Sequence, residues 1–299
     1  MFRNPVCIKE MKLSVRTKKT ARGLFIFNGA LAAVCLFAYY IMFDFSGGTA
    51  YSYVDLSSVI ELYELITMTE MAMIAFIIPA ITAGSIAGER EKQTLEILLT
   101  TRLTPWQIVT GKLISSISTL LLYIVSSLPI LCIVFSIGGV SVWNMVQNML
   151  YVFVLAIYLG SFGILFSAIF KKSIVATVYT YGMLIFTSLV LYVLVPVAYA
   201  VMLINDYGKS TVDVGNLVVI NLLNPLISAL ALICNQVLTS GDFQDISLNR
   251  LSNSFWGNMN PGIWLIISII AQLLVAFLCL FLATKRLNPI KKVKKSKQA

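Results

Sequence analysis

Long apolar runs alternate with short polar breaks along the chain. Five runs are long enough to cross a bilayer as helix: Leu24 to Phe43, Leu113 to Ile137, Val146 to Phe170, Ile174 to Ile204 and Ile263 to Ala283. A spanning helix needs about 20 mostly apolar residues. A sixth run, Leu65 to Ala87, contains Glu70 and Pro79 but otherwise fits. A seventh stretch, Leu217 to Leu238, has the length, yet it carries Asn221, the pair Asn224-Pro225, and Asn235. Proline inside a helix removes a hydrogen bond and kinks the chain. The pattern therefore gives six spans and one ambiguous segment.

Charge resolves the ambiguity. With six spans, segments 1–23, 88–112, 171–173 and 284–299 share one side and hold 20 of the 22 Lys and Arg, leaving Lys209 and Arg250 on the other. Nine of the 13 acidic residues fall on that other side or near the outer end of span two. The basic side is expected to be cytoplasmic, with both termini there. A seventh crossing would carry the lysine-rich tail outside. Residues 217–238 are therefore read as one or two short helices that dip into the outer leaflet and return, broken near Asn224-Pro225. Irregular backbone at that depth must be covered by protein, which puts the segment against the bundle. The expected fold is an all-α integral membrane protein of six transmembrane helices. It forms a single transmembrane domain over 1–299, with a re-entrant outer segment in the 205–262 connection between spans five and six.

Composition agrees: of 299 residues, 59% are hydrophobic and 12% charged, against about 25% charged in soluble domains. The net charge of +9 would suit nucleic acid, but the basic residues line the cytoplasmic membrane face, where anionic lipids attract them. Membrane lipids, not nucleic acid, are the expected partner of that charge. There is no histidine, which removes the commonest general base and metal ligand. Five cysteines form no CxxC pair, and Cys35, Cys132 and Cys279 lie in apolar runs, where cysteine packs as a small hydrophobe. No H-E-x-x-H, no G-x-S-x-G and no G-x-x-x-x-G-K-[ST] sequence occurs. No enzyme activity, cofactor or metal is expected of this chain, and ATP-driven work would need another subunit.

Two cytoplasmic segments carry more information. Residues 1–23 are basic and amphipathic, unlike a cleaved leader. Asn4 suits an N-cap and Pro5 the first helical position. Cys7, Ile8, Met11 and Val15 share one face, and Lys9, Lys12, Arg16 and Lys19 another. This is the pattern of an interfacial helix; a plain basic flank orienting span one is the alternative.

In the 88–112 loop, span two is expected to continue to about Glu91. Thr94 would then cap a short helix with Glu96 in its first turn, favourable to the helix dipole. Leu95, Leu98 and Leu99 share a face. Thr104-Pro105-Trp106-Gln107 reads as a capping box with proline at the first position, starting span three as a new helix. The result is a short amphipathic helix held between two spans, able to dock on a partner or to lie on the membrane.

This loop resembles the signature of the permease subunits of type-two, exporter-type ABC transporters, which typically read A-x-E-R-E-x-G-T-L-E-x-L-L-x-T-P with a later Gly-Lys pair. The match falls at Ala87, Glu89, Arg90, Glu91, Thr94, Leu95, Glu96, Leu98, Leu99 and Gly111-Lys112. The chain departs at Gln93, where glycine is usual, and spaces Pro105 differently. Asn4-Pro5 with Lys9-Glu10, the six spans and the long connection before the last also resemble that family. The resemblance implies that the 94–103 helix is a coupling helix seated in a groove of a separate ABC ATPase subunit, which would hold the ATP and magnesium. It implies contacts to that ATPase from Leu95, Glu96, Leu98 and Leu99, and ion pairs of Glu89, Arg90 and Glu91 stabilising the inner end of span two. Thr94, Thr104 and Pro105 would shape the loop. It further implies a second permease subunit, the same or a related chain, and residence in a bacterial cell membrane.

Glu64 and Glu70 are candidate pathway residues, because an ionisable group inside a span is a functional candidate by default. Alternatively the span boundary is shifted, and Glu70 sits at the headgroups beside Lys209 or Arg250. Pro79, Pro129 and Pro196 either pivot or passively kink their spans. The tyrosines of spans four and five, including Tyr151 and Tyr158, read as interfacial belt residues or as lining of a sugar pathway. Two other functions stay open. A secondary transporter or channel would show internal repeats and paired broken helices, whereas one broken segment and no repeat is seen. A membrane scaffold or sensor is the other. The sequence leaves the substrate open.

Overall fold

A computed structural model of the chain describes residues 17–41, 56–96, 104–137, 141–205, 215–236 and 259–287. Residues 1–16 of the expected interfacial helix, and Leu98, Leu99, Lys209 and Arg250, lie outside the described residues; Lys18 to Gly23 continue directly into the first span.

All the described elements are helical, and six helices are long and apolar enough to cross a membrane. In chain order, α1 is Lys18–Tyr39, α2 Leu56–Thr82, α3 the single turn Ala87–Glu91, α4 Pro105–Ile137 and α5 Val142–Ile169. The fifth span is α6, Ser173–Ile185, joined through a π-helical turn, Phe186–Val190, to α7, Leu191–Asn205. A 3-10 helix Gly215–Leu223 and α8, Pro225–Gln236, precede the last span, α9, Pro261–Leu287.

Large apolar side chains stand fully on the outside, among them Phe25 at 82%, Ile174 at 77% and Leu36 at 70% exposure. In water such surface would drive association; a bilayer is the solvent that accepts it. The interior is mainly apolar as well, with small and polar residues interspersed where helices meet. α5 lies at the centre, packed against α9, α2, α4 and α6. Gly160, Ser161, Gly163 and Ser167 on α5 let neighbouring backbones approach, as small residues do between membrane helices. A Cβ at Gly163 would overlap the hydroxyl of Thr82 and come within 2.7 Å of its Cβ.

That close approach occurs where the second span departs from the expected continuous helix. Residues 83–86 form turns between α2 and α3. The break is tolerated because Ser167 of α5 accepts hydrogen bonds from the freed amides of Ile86 (2.9 Å) and Ala87 (2.8 Å). The second span also starts earlier than its apolar run: α2 begins at Leu56, and apolar character reaches back to Val59. Span three starts at Pro105, and the reciprocal capping box is present. The Thr104 amide donates to Gln107 Oε1 at 2.9 Å, and the Gln107 amide to Thr104 Oγ1 at 3.3 Å.

The 215–236 segment is broken at Asn224 and packs against α5 and α9. Each carbonyl around the break receives a side-chain hydroxyl. Ser268 donates to Leu222 O at 2.6 Å, Tyr158 to Leu223 O at 2.9 Å and Tyr151 to Pro225 O at 2.7 Å. The Asn224 amide donates to Ser188 O in the π-turn at 2.9 Å, and its Oδ1 accepts from Leu226 N at 2.9 Å.

Candidate functional site

One end of the bundle carries Arg90, Lys112, Lys171 and Lys172, and the tripeptide Glu89-Arg90-Glu91 organises it. The three side chains engage three different spans. Glu89 Oε1 pairs with Lys112 Nζ of α4 at 3.1 Å. Arg90 Nη1 donates to Phe170 O at 2.9 Å and Nη2 to Ala168 O at 3.2 Å. These carbonyls end α5, where no intrahelical partner exists and positive charge is favoured. Glu91 reaches the start of α6: its Oε1 accepts from Ser173 N and its Oε2 from Ser173 Oγ, both at 2.8 Å. The N-cap residue of α6, Lys172, makes no side-chain cap bond, so a carboxylate from another span supplies the cap and suits the dipole.

Among the described residues Glu89 forms an ion pair, while Arg90 and Glu91 bind helix ends. The tripeptide therefore fastens spans three, four and five to the second span, a larger role than stabilising its inner end. These groups lie past the apolar run that ends at Ala87. Burial opposes ionisation of Glu89, but the hydroxyl of Thr94 and the charge of Lys112 hold its carboxyl below the usual range. The amide and hydroxyl of Ser173 hold that of Glu91 below it too.

Beyond α3 the chain turns sharply. Gln93 adopts φ 57°, the left-handed conformation that ends helices and that glycine takes without penalty. The Gln93 amide donates to Arg90 O at 3.1 Å. The Thr94 hydroxyl donates back to Glu89 O at 3.1 Å and contacts the Glu89 carboxylate, which ties the start of the loop to the preceding turn.

Residues 94–96 are helical. Leu95 is 6% exposed and packs with Ile86, Val109, Leu113, Ile164 and Leu280. Leu95 thus anchors the start of the loop to its own bundle. Lys92, Gln93, Thr94 and Glu96 are exposed. Thr104 and Pro105 start α4 beside them.

Glu70 is 1% exposed, 11 residues beyond Val59, or about 16 Å at the rise of a helix. Ser127 Oγ donates to its Oε1, and Asn148 Nδ2 to its Oε2 at 3.0 Å. Glu64 is half-buried two turns away and does not join it. The sequence reading missed Ser127 and Asn148, which sit singly in apolar runs with no motif around them. Likewise Tyr151 and Tyr158 serve the broken segment; only the Asn224-Pro225 pair signalled that some donor was required.

Residues 5–286 match the model of a family described as ABC-2 family transporter protein. No curated protein matches the sequence.

Proposed function

Because the chain belongs to the ABC-2 transporter family, we propose that it is the permease subunit of an ATP-driven exporter, worked by a separate ABC ATPase through the loop that follows α3. The observation that carries this reading is the Glu89-Arg90-Glu91 fastening. A force applied to residues 92–103 reaches α4 through Lys112, the end of α5 through Arg90 and the start of α6 through Glu91. Leu95 wedged in the bundle stiffens the same joint. A loop built only to connect two spans needs none of these bonds.

On this reading the basic end faces the cytoplasm of a bacterial cell, with both termini there, and the 1–23 segment lies in the interface. ATP and magnesium belong to the ATPase. A second permease, the same or a related chain, completes the pathway. Glu96, Leu98 and Leu99 present the surface to the ATPase, with Lys92 and Gln93 beside them, while Glu89, Arg90, Glu91, Thr94, Leu95, Thr104 and Pro105 hold the joint. The 215–236 segment is re-entrant: α8 has 12 residues, a length of about 18 Å, or roughly half of the 30 Å core. Its far end lies beside Asn144 at the start of α5, and its Pro225 end meets Tyr151 within that helix. The chain thus enters and leaves on one side.

The test is gentle purification from native membranes, with every co-purifying chain identified, for the native chain and for Glu96→Arg combined with Leu99→Glu. Leu95 is left alone, because changing it would disrupt the bundle. A P-loop ATPase retained by the first and lost by the second is expected. Its absence from both overturns this reading and favours a transporter that works without an ATPase, to which the buried Glu70 and the half-depth α8 would then belong.

A further inference from the structure

Glu70 lies midway along α2, sealed from solvent, and among the described residues its hydrogen-bond partners are the neutral groups of Ser127 and Asn148. Buried charges are ordinarily met by a countercharge. Here none is present among the described residues. α5, α6 and α8 carry no charged residue, α1 carries Lys18, Lys19 and Arg22 only near its start, and α4 has only Lys112, which Glu89 engages at the basic end. On α2 itself, Glu61 and Glu64 lie outward of Glu70. The other titratable groups on these helices are the tyrosines Tyr39, Tyr63, Tyr123, Tyr151, Tyr158, Tyr179 and Tyr181 and the cysteines Cys35, Cys132 and Cys234.

The hydrogen-bond accounting around the carboxyl is incomplete in one direction. Asn148 Oδ1 and Thr67 Oγ1 are buried without a partner. Thr67 precedes Glu70 by three residues and shares its helix face. Asn148 Oδ1 is an acceptor that lacks a donor, and an acid O–H on Glu70 is a donor. The cage also fits the ionised form, which the Asn148 amide nitrogen serves as drawn. Rotation of that amide presents its carbonyl to the protonated acid instead.

Thr67 and Tyr63 follow Glu70 along one face of α2 toward the end of the bundle remote from Glu89. Tyr63, one turn beyond Thr67, donates to Gln236 Oε1 at 3.0 Å. Gln236 Nε2 donates to Gln147 Oε1 at 3.0 Å and to Asn144 O at 3.2 Å, and Gln147 and Gln236 are partly exposed. We propose that Glu70 is a proton-binding site, loaded from that end along the face of α2 that carries Tyr63 and Thr67. Binding adds a proton to the carboxylate and nothing else; release returns it along the same face. The site goes beyond the permease reading, and its test needs no ATPase.

The full chain, reconstituted in lipid nanodiscs, is followed by infrared spectroscopy across a pH titration. The expected result is a carboxylic-acid carbonyl band at pH 7 that is absent from Glu70→Gln, whose amide preserves the shape of the site. The band is unchanged when potassium is replaced by sodium. Asn148→Leu alters the proton affinity at least about tenfold, one unit of midpoint. Tyr63→Phe slows proton exchange and leaves the midpoint in place. A wild-type spectrum with no acid band at pH 7, or one identical to Glu70→Gln, overturns the proposal. A band abolished by sodium overturns it in favour of a metal-cation site.

Discussion

Gln93 turns the chain through φ 57°, a conformation in which a Cβ crowds the following carbonyl at a cost of roughly 1–2 kcal/mol. The bend is held from both sides, by Glu89-Arg90-Glu91 before it and by Leu95 after it, so the surroundings enforce the strain. Replacing the residue reads that strain directly. Gln93→Gly is expected to raise thermal stability in detergent by about 1 kcal/mol, since the strain relieved exceeds the backbone entropy glycine adds. Gln93→Val is expected to lower it by at least as much, because a β-branched side chain fits this region worst. Equal melting temperatures for the three proteins would show that the bend is not fixed in solution. The bend was legible in the sequence only as a departure, a glutamine standing where the resembling signature has glycine. The inward turn of Leu95 was not legible. An i, i+3, i+4 stripe shows which leucines share a face but not whether that face meets its own bundle or a partner.

Among the elements, the broken 215–236 segment shows how irregular backbone is tolerated inside an apolar bundle. Two carbonyls freed at the break meet Ser268 and Tyr158, and Tyr151 adds a bond to Pro225 O in the first turn of α8; buried carbonyls left without donors cost about 1–3 kcal/mol each. Tyr158→Phe keeps the ring, including its edge-on contact with Phe162 at 5.2 Å, and removes only the donor. It is expected to destabilise the protein by about 1–3 kcal/mol, and Tyr151→Phe by less, because Pro225 O keeps a donor within its own helix. Hydrogen exchange should rise first at 222–228, before the six spans are affected. Uniform loss of protection would show instead that the segment is integral to the bundle. The break itself was legible, since Asn224-Pro225 cannot sit inside a regular helix. The donors were not, because a tyrosine in an apolar run looks the same whether it lies at an interface or reaches across to a carbonyl. The gap at 83–86 was hidden for a related reason: its two amides are satisfied by Ser167, some 80 residues away, and no local breaker other than Gly84 marks it.

For the molecule as a whole, the six-span architecture and the family followed from apolar run length and from a loop of about 25 residues, whereas the joints between spans are tertiary. The Glu89-Arg90-Glu91 sequence was visible, but its reach to the end of α5 and the start of α6 depends on those helices meeting at one corner. That corner makes the permease reading testable without knowing the substrate. If motion enters through the loop and passes to spans four and five by way of Arg90 and Glu91, cutting those bonds should leave binding intact and stop transmission. Arg90→Leu removes both donors to Ala168 O and Phe170 O, and Glu91→Gln removes the charge that caps α6 while keeping one acceptor. Neither touches the exposed Glu96. The expected outcome is that an ATPase co-purifies with both variants as with the native chain. Spin labels on α5 and α6 should then no longer change separation when ATP is added, and Arg90→Leu should show the greater loss because no acceptor or donor replaces its fork. Loss of the ATPase itself from Arg90→Leu would place this residue in the docking surface. Normal movement in both variants would move the point of transmission to the remaining links, Glu89 with Lys112 and the Leu95 wedge.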